Sequence, residues 1–133
     1  MLINLSNHPV SGWQLEQRET AEKLYGEVVD IPFPRISTLA SVEEVFQLAQ
    51  IYADKAMQIL ATSPKSKNAV HIMGEFTFTY NFVLLMNKYG VDTIVSTSER
   101  MVYYDKNGNK NSAFKFVKFR SYNINNNSMR ETK

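Results

Sequence analysis

Apolar and polar positions along the chain switch between a period near two and a period near 3.6, and the switches mark out its elements. Leu2 to Ser6 is a short apolar run closed by Asn7-His8-Pro9, which reads as a buried strand. Ser11 and Gln14 have capping-box spacing, flanked by Val10 and Leu15 as a hydrophobic staple. They predict a helix from about Gly12 to Tyr25, stopped by Gly26. Glu27 to Ile31 is a second strand, halted by Pro32-Phe33-Pro34. Ser41 and Glu44 form a second capping box and open the longest helix, about Val42 to Ala61. Its apolar positions Val45, Leu48, Ala49, Tyr52, Ala56, Ile59 and Leu60 follow helical spacing. After a polar loop, Thr62 to Asn68, comes a third strand, Ala69 to Met73. Gly74-Glu75 then leads into a helix ending near Tyr89-Gly90. Apolar on most sides, it is expected to be deeply buried or to serve a subunit interface. Val91 to Ser96 is a fourth strand.

Beyond it, Met101 to Tyr104 and Ala113 to Phe119 are strand-like and joined across Asn107-Gly108, the strongest short-range hairpin signal. Strict alternation places Phe114, Phe116, Lys118 and Arg120 on one face, with Lys115, Val117 and Phe119 on the other. Two strand–helix–strand units with short connections imply parallel pairing and right-handed crossovers. The expected fold is α/β: a Rossmann-like open sheet, mostly parallel, with order 2-1-3-4, three helices and a C-terminal antiparallel β-hairpin. Residues 1–122 form the single domain, and 123–133 are a polar tail expected to be disordered.

Composition narrows the function classes. With 133 residues, 44% hydrophobic and 21% charged, the chain is globular and too short for a second sizeable domain. No apolar run reaches the roughly 18 residues needed to span a bilayer, and the N-terminus has no signal-peptide pattern. The absence of cysteine removes disulfides, thiol catalysis and thiolate metal sites, and agrees with a cytoplasmic location. The formal charge of +2 hides an uneven distribution. Residues 1–99 carry eleven acidic and seven basic side chains, whereas 100–122 carry six basic residues against Asp105 alone. That basic stretch is either a solvated hairpin whose lysines deter edge pairing or a face for phosphate or an acidic partner.

In an open sheet of this order, ligands bind beyond the carboxyl ends of the strands, where strands 1 and 3 diverge. The rule selects Ser6, Asn7, His8 and Pro9, then Gly74, Glu75, Phe76 and Thr77, with Thr97, Ser98, Glu99 and Arg100 after strand 4. His8 is either a loop histidine bonded to backbone or a phosphate donor and proton-transfer group. Gly74 is either a turn or a point where amides approach phosphate at a helix N-terminus. No second or third glycine makes it a dinucleotide fingerprint. Glu75 suits a ribose hydroxyl or a pairing with Arg100 better than a general base. Thr77 and Thr79 either cap the helix or bond phosphate oxygens. Arg100, with its forked guanidinium, is the favoured phosphate contact. Trp13 either stacks on a base or anchors the helix start. Ser98 with His8 lacks a strained nucleophile elbow, and His8 with His71 lacks metal-ligand spacing. No metal site and no cofactor are expected.

With Leu2-Ile3-Asn4-Leu5-Ser6-Asn7-His8-Pro9, Met73-Gly74-Glu75-Phe76-Thr77 and Thr97-Ser98-Glu99-Arg100 at its strand ends, the chain resembles the compact accessory proteins of type III CRISPR loci. These are related to the CRISPR-associated Rossmann-fold (CARF) domains and include stand-alone ring nucleases. The resemblance covers roughly residues 2–122 in organisation and carries no diagnostic short motif. It implies a homodimer that binds a cyclic oligoadenylate second messenger in antiviral defence. The strand 1 loop and the start of the third helix would line the pocket. For a ring nuclease it implies metal-independent attack of a ribose 2′-hydroxyl on the neighbouring phosphodiester. His8 would then serve as acid or base, Arg100 and the Gly74–Thr77 amides as charge stabilisers, and Ser6, Asn7 and Ser98 as positioning groups. Arg100 has no fixed counterpart in that family. Binding without cleavage would use the same pocket. The expected partners are that ligand or another anionic nucleotide, with no membrane and no long nucleic acid. Two other readings are a protein-interaction module docking through the 100–120 hairpin and a nucleotide or sugar-phosphate enzyme on the same sheet.

Overall fold

The computed structural model describes residues 1–63 and 67–124. The tail from residue 125 onward and the part of the 62–68 loop around Pro64 lie outside the described residues. In chain order the elements are β1 (Leu2–Ser6), α1 (Leu15–Tyr25), β2 (Val28–Pro32), α2 (Val42–Leu60), β3 (Ala69–Met73), α3 (Phe76–Lys88), β4 (Asp92–Tyr104) and β5 (Lys110–Ser121). They form one five-stranded sheet of order β2-β1-β3-β4-β5. β1 pairs in parallel with β2 and β3 along its whole length, β3 pairs in parallel with β4, and β4 pairs antiparallel with β5. The α/β class, the strand order and the C-terminal hairpin are those expected from the sequence.

Alternation along the strands divides the core between two faces. Ile3, Leu5, Ile31, Val70 and Ile72 pack under α2 and α3, against Val45, Ala49, Ala53, Ala56, Phe78, Phe82 and Met86. The alanine run in α2 lets the helices approach closely, and Phe78 stacks on Phe82 while meeting Phe33 and Tyr52 edge-on. Burying each large side chain here contributes about 1.5–3 kcal/mol. The opposite face is thinner: Leu2, Trp13, Ala21, Ala69 and Ile94 gather under α1. The capping box of α2 closes reciprocally, with Ser41 Oγ accepting from the Glu44 amide and Glu44 Oε1 from the Ser41 amide. α3 is buried on one side only, and Phe76, Tyr80 and Leu84 are exposed on the other.

Three expectations are corrected. Helix α1 begins at Leu15, not Gly12, because Val10–Gly12 form a 3-10 turn and Trp13 is extended. Gln14 makes no cap hydrogen bond. Its amide instead stitches β5, with Nε2 donating to the Phe114 carbonyl and Oε1 accepting from the Phe116 amide. Strand 4 does not end at Ser96: β4 runs on unbroken to Tyr104. It pairs with β3 only through Ile94, so from Val95 onward β4 and β5 form a two-stranded arm beyond the parallel sheet. The hairpin alternation is also interrupted. Thr97 faces Lys118 but Ser98 faces Phe116, which leaves Val117 as a bulge. The extra residue brings Phe116 and Phe119 to one side, ring centroids 5.0 Å apart, instead of on opposite faces.

Candidate functional site

The carboxyl ends of β1 and β3 lie side by side, Ser6 opposite Met73. The loop leaving β1 is pinned to an unusual degree. The His8 carbonyl accepts from Asn4 Nδ2 and from Trp13 Nε1, each at 2.9 Å. The His8 amide donates to Ser6 Oγ at 3.2 Å. Asn7 and His8 nevertheless keep exposed side chains. The backbone is fixed and two polar side chains are held out at the rim, which is how a binding group is preorganised.

Beneath that loop, a buried polar relay crosses the sheet on the α1 face. Asn4 Nδ2 also donates to Asp30 Oδ1 at 2.9 Å, and Asp30 in turn receives the Val10 amide. With its nitrogen so used, the Asn4 oxygen is the acceptor for Ser6 Oγ at 2.8 Å and for His71 Nδ1 at 2.9 Å. The pattern assigns the proton of His71 to Nδ1. Nε2 accepts from Ser96 Oγ at 2.8 Å, and that hydroxyl accepts from Gln17 Nε2 at 3.0 Å. Trp13 and Phe119 close over the imidazole edge-on, at 5.1 and 5.7 Å. Burial pushes the His71 pKa down to about 4, and the charge of His8 adds to the effect. Ser96, His71 and Asn4 are connected like a nucleophile, a base and an orienting group. His71 and Asn4 are sealed from solvent, however, and the Ser96 oxygen is engaged by Gln17. The relay is a support for the rim.

The other expected residues are redistributed. Ser6 is buried in the relay and faces no solvent. Trp13 is also buried, so it anchors the loop and offers no stacking surface. The Cβ position of Gly74 is filled by the Phe33 ring; the glycine serves close packing. Glu75 caps α3: Oε1 accepts from the Phe78 amide at 2.7 Å and Oε2 from Thr77 Oγ1 at 2.9 Å. A carboxylate of the chain itself thus occupies the place where phosphate was expected at the α3 N-terminus. That arrangement leaves Thr77 committed to Glu75, and Thr79 buried. Phe76 stands 90% exposed beside them. Thr97, Ser98 and Arg100 sit within β4 and not at a strand end. Thr97 Oγ1 donates to the Lys118 carbonyl within the arm.

Arg100 is exposed opposite Phe114, whose carbonyl receives Gln14, next in sequence to the Trp13 that holds His8. Ser98 and Phe114 lie on the same face of the arm as Arg100. Among the described residues no three histidine or acidic side chains converge as metal ligands.

Asn4, Asp30, Gln17, His71 and Ser96 were not selected from the sequence. Their signal was present as polar residues inside apolar strands, Asn4 in Leu2–Ser6 and His71 in Ala69–Met73, at positions that the parallel register aligns.

Residues 1–120 match the model of the Uncharacterized protein MJ1673 family. The chain belongs to that family. The matched span reaches from β1 through all but the last residue of β5, so the arm is part of the family's shared domain. No curated protein and no solved structure matches the chain.

Proposed function

We propose that the protein binds a cyclic oligoadenylate at the rim formed by Asn7, His8 and the Arg100 side of the arm. The observation that carries this reading is the pinned β1 loop, whose backbone is held by Asn4, Ser6 and Trp13 while Asn7 and His8 face solvent at the sheet's switch point. The likeness to the small Rossmann-like proteins of type III CRISPR loci supplies the ligand class. Arg100 suits a phosphate by its fork, and the exposed ring of Phe114 beside it suits an adenine face. Because Glu75 fills the α3 N-terminus, the phosphates are assigned to the β1 loop and the arm, not to the Gly74–Thr77 amides.

The same placement allows transesterification. A ribose 2′-oxygen attacks the adjacent phosphorus, the bond to the 5′-oxygen breaks, and a 2′,3′-cyclic phosphate and a 5′-hydroxyl remain. His8 would take or return the proton, and Arg100 would hold the charge on phosphorus.

Equilibrium binding of cyclic tetra- and hexa-adenylate tests the proposal, with products resolved after incubation. One ring is expected to bind, and His8→Ala or Arg100→Ala is expected to weaken it about tenfold or more at unchanged fold, the size of one charged hydrogen bond. Intact ligand after incubation identifies a receptor, and a cyclic-phosphate product identifies a nuclease. Failure of both rings to bind overturns the proposal.

A further inference from the structure

The outer half of the arm carries a repeat that the fold does not use. Residues opposite one another across a ladder share a face. The register therefore sets Arg100 with Phe114, Val102 with Ser112 and Tyr104 with Lys110 on the side that continues from Phe116 and Phe119. Twice on this face an aromatic ring stands across the ladder from a cation. The two pairs are four residues apart along β4, about 13 Å. All six side chains are exposed, Phe114 by 63% and Tyr104 by 68%. Neither cation lies over its ring; among the described residues the cation–ring contact is Lys55 on Tyr52. Rings and charges are both left open.

A two-stranded ribbon with apolar rings in water is marginal unless something packs on it. The tip is nevertheless firmly built: Asp105 Oδ1 accepts the amides of Asn107 and Asn109, and Gly108 takes the positive φ the turn requires. Charge selects the occupant. From Ser98 outward this face has no acidic side chain, and Lys106 adds a third exposed cation at the tip. The opposite face is balanced, with Glu99 directly across from Lys115. Toward α1 the face gives way to Glu16 and Glu19, which line a groove with Phe116 and Val117 and close that end to an anion. The α2–α3 groove, about 440 Å³ between Val42, Phe46, Gln47 and Asn81, has Glu43 in its wall and is equally unsuited to one.

We propose that this face of the arm binds a short segment of single-stranded RNA, with bases on Phe114 and Tyr104 and phosphates at Arg100, Lys110 and Lys106. A ring beside a cation, repeated, is the complement of a base beside a phosphate, repeated. At the 3.4 Å per nucleotide of a stacked strand, the two rings span about four nucleotides. A duplex keeps its base faces covered and gives the rings nothing to stack on. An acidic peptide meets the cations but has no planar groups in register with the rings. The Ser112 hydroxyl, between the two platforms, suits a ribose 2′-hydroxyl. The inference goes beyond the cyclic ligand and does not rest on it: Arg100 and Phe114 are shared, whereas Val102, Tyr104, Lys110 and Ser112 lie outside the residues assigned to the ring.

Fluorescence anisotropy with a labelled decauridylate, which contains no adenine, reads this binding directly. The affinity is expected to fall about tenfold between about 50 and 200 mM salt, as two or three phosphate contacts require. Tyr104→Ser is expected to weaken binding about fivefold or more, the loss of one stacked base. Lys110→Ala is expected to lower the slope of log affinity against log salt by about 0.7. Tyr103→Ser, on the opposite face, is expected to leave affinity within about twofold. Circular dichroism confirms the fold of each variant. No binding tighter than about 100 μM at the lower salt overturns the inference. So does affinity indifferent to both Tyr104→Ser and Lys110→Ala, or lost equally in Tyr103→Ser. Equal binding of a ten-nucleotide thymidine strand overturns the assignment to RNA, and equal binding of duplex RNA overturns the stacking. Displacement by polyglutamate as effective as by unlabelled decauridylate overturns it in favour of an acidic protein. Cyclic adenylate that binds where decauridylate does not overturns this inference alone, and the reverse result overturns the proposed function alone.

Discussion

His71 is the residue on which the rim rests, and its chemistry makes a measurable demand. An unfolded histidine takes its proton near pH 6.5, whereas the buried ring resists it until about pH 4. Between those values the unfolded state binds more protons than the native one, so stability falls as the pH falls. The fold is at full strength above about 6.5, and the loss approaches about 3 kcal/mol once the pH is below about 4. Urea unfolding from pH 4 to 7.5 is expected to show this slope, and His71→Gln is expected to flatten it. Asn4 is the second such residue. Replacing it with leucine leaves His71 Nδ1 and the His8 carbonyl short of a partner, at a cost of about 2–4 kcal/mol in thermal or urea unfolding. Neither role was legible from residue type alone. A histidine in an apolar strand reads as a satisfied core residue. Only the register, which sets Asn4 against His71 across two parallel strands, shows what satisfies it.

Among the elements, those governed by local chemistry were readable and those governed by distant partners were not. The Ser41–Glu44 box and the alanine-lined stripe fix α2 within its own sequence. The start of α1 was misplaced because Gln14 serves Phe114 and Phe116, a hundred residues away. Likewise, the Val117 bulge has no marker in an alternating run of phenylalanine and lysine, yet it decides which rings meet. The opening of α3 is similar. Gly74 reads either as a simple turn or as a point where amides approach phosphate, and the Phe33 ring at its Cβ position shows why a glycine stands there. Gly74→Ala is therefore expected to destabilise by about 1–3 kcal/mol through overpacking, measured by thermal unfolding, and Phe33→Leu is expected to recover part of the loss. A phosphate-binding glycine would instead lose ligand affinity at unchanged stability.

At the scale of the whole molecule, the charge is divided between an acidic α/β body and a basic C-terminal arm. The sheet order followed from two strand–helix–strand units. The arm was legible only in part: the fourth strand reads as ending at Ser96 and continuing into a hairpin, whereas β4 runs without a break from Asp92 to Tyr104. Under the proposed function, a ligand held between the arm and the β1 loop must perturb both at once. Amide chemical-shift mapping during titration with cyclic tetra- or hexa-adenylate tests this claim most directly. The expected shifts concentrate at Ser6–His8, at Ser98 and Arg100, and at Phe114, with the α2 surface around Glu43 and Gln47 unchanged. Shifts confined to the α2–α3 groove, or none with either ring, would contradict the account.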